Sequence, residues 1–261
     1  MYIHKCMHTS IRGGQFWLFS ATMVAVNFFI TLLLLSGVRR ALLAVGKSDA
    51  EVRRIVSAVG ISLWGWLILA VVLAWQGTFR SALDQPVPYI ALAIGLPILV
   101  GAWLVQRSQV VREIIVAVPQ SQLVALQVYR VLGVIFLVLY TLGRLPGSFA
   151  LPAGFGDLFV GLTALLVGAA YLRDHPKRDE FVGLWNGVGI LDLVVAVTTG
   201  FLSAPSRWQM LALDSPNVII GSFPLVMIPI YAVPLSVVLH LASLKKLAIS
   251  YRPTGQQAAT A

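Results

Sequence analysis

Hydrophobic residues gather in runs of about twenty positions, separated by short polar stretches, and a bilayer core of roughly 30 Å takes about that many apolar residues per helix. Seven windows qualify: Phe16–Val38, Ile55–Trp75, Pro88–Val105, Leu123–Leu142, Pro152–Tyr171, Phe181–Phe201 and Pro216–Leu244. The first is too long for the apolar region of a signal peptide and lacks a small-residue cleavage site after it. The third is the shortest and contains Pro97. The seventh carries Pro224, Pro229 and Pro234, each of which removes a backbone donor and kinks or breaks a helix. Between the windows, Ser108–Val118 has Val110, Val111, Ile114, Ile115 and Val118 on one helical face, beside Arg107 and Arg112. That pattern fits a short helix on the membrane surface or an extended loop.

The expected fold is an all-α integral membrane protein of seven transmembrane helices. It divides into a tail over 1–15, one transmembrane domain over 16–244, and a second tail over 245–261. Its ten polar and small C-terminal residues read as a disordered end. Composition agrees: 58% of the 261 residues are hydrophobic and 11% charged, less than half the charge of an average soluble domain. A single Cys gives no disulfide framework.

Positive loops stay cytoplasmic. Of 19 Lys and Arg, thirteen fall on one side and five on the other, with Arg130 inside a span. The five are Lys5, Arg12, Arg80, Arg144 and Arg207. The expected orientation is therefore N-terminus outside and C-terminus cytoplasmic, which an odd number of spans requires. Aromatic residues frame the edges: Phe16, Trp17, Trp75, Tyr89 and Tyr140 outside, Trp103, Tyr129, Tyr171 and Trp185 inside. The net charge of +9 is explained by topology and by anionic lipid headgroups at cytoplasmic loops, without nucleic acid.

Ionisable groups at membrane depth are expensive and face a partner. Arg130, Asp157 and Asp192 stand out, with Asn27, Gln127, Asn186 and His240 around them. On an α-helix, Gln127, Arg130, Gly133, Leu137, Thr141 and Arg144 share one arc of roughly 120° that should face protein. Arg130 lies about 10 Å and Asp192 about 16 Å from the inner ends of their spans. Both lean toward the cytoplasm. The pattern predicts an Arg130–Asp192 ion pair, with Gln127 and Asn186 as second partners. It serves either as an inner binding site or as a structural pair, unless Arg130 snorkels. Asp157 lies on a seam with Gly161, Ala164 and Gly168 that lets a helix approach closely. It either sits in the outer third, paired with Arg144, or caps its helix. Gly183 and Gly187 form a second small-residue seam, and Asn27 and Thr31 are expected to bond between helices. Ser236, His240 and Ser243 make a polar face at the cytoplasmic end of the last span.

His4, Cys6 and His8 of the N-terminal tail are either soft-metal ligands or a plain lead-in. Neither a metal nor a cofactor is assigned. Despite the span count of rhodopsins and G-protein-coupled receptors, the last span has no mid-membrane Lys for retinal, and the receptor motifs Asp-Arg-Tyr and Asn-Pro-x-x-Tyr are missing. One intramembrane His supplies neither a bis-His haem nor a zinc cluster. A lipid-modifying enzyme using Asp157 and His240 is disfavoured, because the two are expected near opposite faces. The chain therefore leans away from being an enzyme.

Three runs, Gln127-Val128-Tyr129-Arg130-Val131-Leu132-Gly133, Phe149-Ala150-Leu151-Pro152-Ala153-Gly154-Phe155-Gly156-Asp157 and Trp185-Asn186-Gly187-Val188-Gly189-Ile190-Leu191-Asp192-Leu193, resemble a group of uncharacterised bacterial multi-pass inner-membrane proteins. The resemblance covers about residues 120–250. It implies a bacterial cytoplasmic membrane and no particular activity. The expected function is a polar intramembrane site for a small solute, ion or lipid headgroup, used in transport or sensing. Arg130, Asp192, Gln127, Asn186 and His240 would line its inner part, and Asp157 and Arg144 its outer mouth. The alternative is an accessory or assembly subunit bound to a membrane partner chain, with buried ion pairs that only hold helices together.

Overall fold

The computed structural model describes residues 13–80, 89–173 and 176–250, and all regular structure among them is helical. The helices are α1 (Gly13–Ala44), α2 (Asp49–Trp75), α3 (Tyr89–Arg107), α4 (Gln109–Ala117), α5 (Gln120–Thr141), α6 (Gly147–Leu172), α7 (Arg178–Ser203) and α8 (Ile228–Ser250). Seven of them, all but α4, are long and apolar enough to cross a membrane. Ile61, Ile68, Leu96, Leu99, Leu166 and Leu184 point outward and are exposed, a surface that suits lipid and not water. Trp17 and Trp75 stack with ring centroids 5.8 Å apart, so the start of α1 and the end of α2 share one face of the bundle. The His4, Cys6 and His8 tail, Pro88 and the C-terminal residues 251–261 lie outside the described residues.

The last span begins at Ile228 and not at Pro216. Residues 204–226 form turns, bends and a short 3₁₀ segment at Ile219–Gly221. Pro216 and Pro224 lack the N–H that a continuous helix needs there. At its other end α8 continues to Ser250, so Lys245 and Lys246 belong to the helix. Ser108–Val118 resolves as a helix: Ser108 caps it by accepting from Val111 N, and Ile115 is buried. Lys246 Nζ donates to the free carbonyls of Ile115 and Val116 at 3.1 and 2.8 Å, where a cation suits a helix C-terminus. Lys47, in the turn after α1, reaches Glu113 at 2.8 Å, and that carboxylate holds its ammonium above the usual lysine range.

Two departures from α geometry shape the interior. Within α5, Leu126–Gly133 is 3₁₀. Side chains three apart eclipse one another in that winding, so Gln127, Arg130, Gly133 and then Phe136 are buried in line. The stripe expected from α-helical periodicity therefore fails beyond Gly133: Leu137 is half-buried, and Thr141 and Arg144 are exposed. At the start of α8, Ile228–Ala232 is π-helical. Pro234 has no N–H for the carbonyl of Ile230 four residues earlier, and Trp66 Nε1 donates to that oxygen at 3.0 Å. Tyr129 donates similarly to the Ala232 carbonyl at 3.1 Å.

The two small-residue seams behave differently. Gly161 and Gly168 receive the backbone of α5 against α6. Gly183 and Gly187 have open space before them, so the expected close contact does not occur among the described residues. The bonding expected of α1 holds for Thr31, which meets Tyr231 Oη at 2.6 Å. It fails for Asn27, whose amide nitrogen turns back to Met23 O on its own helix.

Trp66→Phe keeps an aromatic ring, smaller than the indole, and removes the donor to Ile230. The expected loss is about 1–3 kcal/mol, the cost of an unpaired buried carbonyl, read as a lower thermal unfolding midpoint in detergent.

Candidate intramembrane polar site

Arg130 is the centre of the interior, and four helices meet at its guanidinium. Nε donates to Asp157 Oδ1 of α6 at 2.8 Å. Nη2 donates to Asp192 Oδ2 of α7. Nη1 lies 3.3 Å from the Gly189 carbonyl, also of α7, and 3.2 Å from His240 Nε2 of α8. A guanidinium has donors only, so His240 Nε2 accepts and the imidazole proton resides on Nδ1. Nδ1 lies 2.8 Å from Asn186 Oδ1, which it can then donate to. Asn186 Nδ2 continues to Ser243 Oγ and Val182 O at 2.8 and 2.7 Å. Gln120 Nε2 also reaches Ser243 Oγ, at 2.5 Å.

The expected Arg130–Asp192 pair is present, joined by a second acid, Asp157, for which the sequence pattern predicts a helix cap or the outer mouth. Asp157 lies ten residues past the start of α6, about 15 Å along its axis at 1.5 Å per residue. It is therefore neither a helix cap nor a group at the outer mouth, and Arg130, not Arg144, is its partner. Arg144 sits in the exposed turn after α5. His240 is twelve residues into α8, near mid-helix and not at the end. Asp157 and His240 thus meet on one guanidinium instead of lying at opposite faces. His240 makes no free base, because both ring nitrogens are engaged. Gln127 bonds Ser236 through both amide atoms, at 3.0 and 2.9 Å. That bonding ties it to Ser236 and so to Tyr129, whereas Asn186 is linked to Arg130 through His240.

Close approach makes this convergence fit. The Asp192 carboxylate occupies the space where a Cβ on Gly156 would stand, and the His240 ring does the same at Gly189. Trp185, expected near the inner edge, is instead buried against the His240 ring with centroids 5.2 Å apart. Its Nε1 donates to Thr163 Oγ1 at 2.9 Å. Tyr129, also expected at the edge, donates inward to α8.

Two cavities meet at Asp157. The larger, about 430 Å³, has walls that include Ile94 of α3, Phe136 of α5, Phe149 of α6, Gly200 of α7 and Pro229 of α8. It occupies the half of the bundle holding the N-terminal end of α6, and residues of the 204–226 segment also line it. Among the described residues, Asp157 is the one charged side chain in its wall. The smaller, about 40 Å³, is lined by Asp157, Arg130, Tyr129, Ser236 and Asn27. Asn27 is buried, and its Oδ1 has no hydrogen-bond partner among the described residues. The volume suits a few water molecules bridging that oxygen. Asp192 lines neither cavity. Helical spacing pointed to the buried charges, but it held no signal for the cavities, which arise from side-chain packing between distant helices.

Residues 87–248 match a family described as a domain of unknown function, DUF8737, and the chain belongs to that family. The match spans α3 to α8 and includes every member of the Arg130 centre. No curated protein and no solved structure matches the chain. Among the described residues, no group of three or more His, Cys, Asp or Glu is placed to hold a metal ion.

Arg130→Met leaves two buried acids without a cation, and removing one member of a buried pair costs about 3–5 kcal/mol. Its folded yield in detergent should collapse, while Asp157→Asn and Asp192→Asn, which each keep one counter-ion, should fold. Gly156→Ala should lower the unfolding midpoint more than Gly183→Ala does, since only the former drives a methyl into Asp192.

Proposed function

We propose that this is a multi-pass protein of a bacterial cytoplasmic membrane that binds a small amphiphilic molecule at mid-depth, for transport or for sensing. The observation that carries the reading is the cavity of about 430 Å³ ending on the Asp157 carboxylate. A cavity that size suits a small-molecule site, apolar in its walls with a few polar groups to orient the ligand. An apolar body in the cavity with a polar end at Asp157 matches that lining. Arg130, Asp192 and His240 hold Asp157 in place from behind. The asymmetry of Lys and Arg supports an outside N-terminus and a cytoplasmic C-terminus, with the cavity toward the outer side and anionic headgroups at the cytoplasmic loops.

One observation favours the accessory-subunit reading: every nitrogen of the Arg130 guanidinium already has a protein acceptor, as a purely structural junction would.

Native mass spectrometry of the purified chain separates the two. A small molecule that co-purifies with the wild type and is lost in Ala196→Phe, which fills the cavity, supports binding. A partner chain that persists in that variant, with no small molecule in either, supports the accessory role. For orientation, Arg207→Cys and Lys177→Cys in a Cys6→Ser background are labelled in cells with an impermeant maleimide. Arg207→Cys should react in intact cells and Lys177→Cys only after permeabilisation; the reverse pattern would invert the topology.

A further inference from the structure

We propose that the Arg130–Asp157–Asp192 centre holds one exchangeable proton, which is displaced when the cationic head of an apolar ligand enters the large cavity. The ligand half of this inference rests on reading that cavity as a binding site, and the proton half stands without it.

Charge balance at the centre leads to the proton. Arg130 brings one positive charge, and two carboxylates answer it. Among the described residues, the other groups packed around the centre add none. His240 on α8 accepts from the guanidinium and is neutral. Tyr129 and Tyr231 are hydroxyls engaged with Ser236 and Thr31. From α1 the small cavity takes Met23, Val26, Asn27 and Ile30, and from α3 the large one takes Ile90, Ala91, Ile94, Gly95 and Ile98; none of these ionises. With both acids ionised, the centre would carry a net negative charge at mid-depth, where uncompensated charge is expensive. One proton shared by the two acids removes it, and acids coupled this closely titrate as a pair.

The geometry also gives the exchange its direction. Asp157 lines both cavities, Asp192 lines neither, and Arg130 is absent from the wall of the large cavity. A molecule arriving there meets a carboxyl group in front of the guanidinium, so the centre presents itself as acidic and not as basic. Walls this apolar give a strongly hydrated metal ion nothing to replace its water. They suit an ammonium or phosphonium carried on an apolar body. On binding, the carboxyl O–H bond breaks, its proton passes to water, and the carboxylate pairs with the cation. No redox partner is needed.

The test uses the full chain in detergent near neutral pH. Infrared spectra of the wild type should show a carboxylic-acid C=O band, since exposed acids are ionised at that pH. The band should vanish in both Asp157→Asn and Asp192→Asn, because each leaves one acid facing Arg130. Titration with tetraphenylphosphonium in weak buffer should release one proton per cation bound. Affinity should rise about tenfold per unit of pH, by linkage, and binding should be lost in Asp157→Asn. A wild type with no such band overturns the proton. A band accompanied by no phosphonium binding, or by binding without proton release, overturns the exchange. The band is read with no ligand present, so its failure is distinct from a failure of the cavity to bind anything.

Discussion

A guanidinium cannot be left alone in the middle of a membrane. It is charged at any pH the protein meets, and it must find acceptors or remain at the interface. Arg130 finds its acceptors on three other helices, and much of the interior follows from that. α5, α6, α7 and α8 must approach closely enough for one side chain to touch the other three. Glycines stand where those contacts are tightest, and the 3₁₀ winding of α5 brings Gln127, Arg130 and Gly133 into line. Among the described residues the interior is charged at one point, so that point specifies how the four helices register against one another.

The neighbours of Arg130 are not equivalent. Asp192 packs against Gly156 and is half-buried, and His240 is fixed by hydrogen bonds through both ring nitrogens. Asp157 is buried, and of the two acids it is the one in the walls of the two cavities. A single junction therefore combines a rigid part, which holds the bundle, with one acid that faces internal volume. The family match covers all of these residues and reaches from α3 to α8. It leaves α1 and α2 outside the shared part, although α1 contributes Asn27 to the small cavity and Thr31 to the Tyr231 hydroxyl.

Most of the fold was legible in the sequence because lipid imposes a length and a polarity on each span. Six of the seven expected spans overlap their helices closely, and the buried Arg130–Asp192 pair follows from two ionisable groups at comparable depth. The failures have local causes. The last span was placed twelve residues early because hydropathy alone does not register that Pro216 and Pro224 interrupt a helix. Asp157 reads as a helix cap or as a group in the outer third because the Gly-rich run before it resembles a loop, whereas packing against α5 keeps it helical from Gly147. Its partner was misassigned for the same reason, and with it the distance to His240. The stripe on α5 drifted because periodicity assumes 100° per residue, which a 3₁₀ segment does not keep.

That 3₁₀ segment also changes the length of its helix. At about 2.0 Å of rise per residue instead of 1.5 Å, the eight residues from Leu126 to Gly133 make α5 about 4 Å longer than an α-helix of the same count. With 22 residues against 26 in α6 and in α7, α5 thereby comes within about 2 Å of the length of those helices. Arg130 sits inside the stretched part. Any rewinding of that segment toward α would shorten the span by about 4 Å and turn the guanidinium away from its acids in one movement.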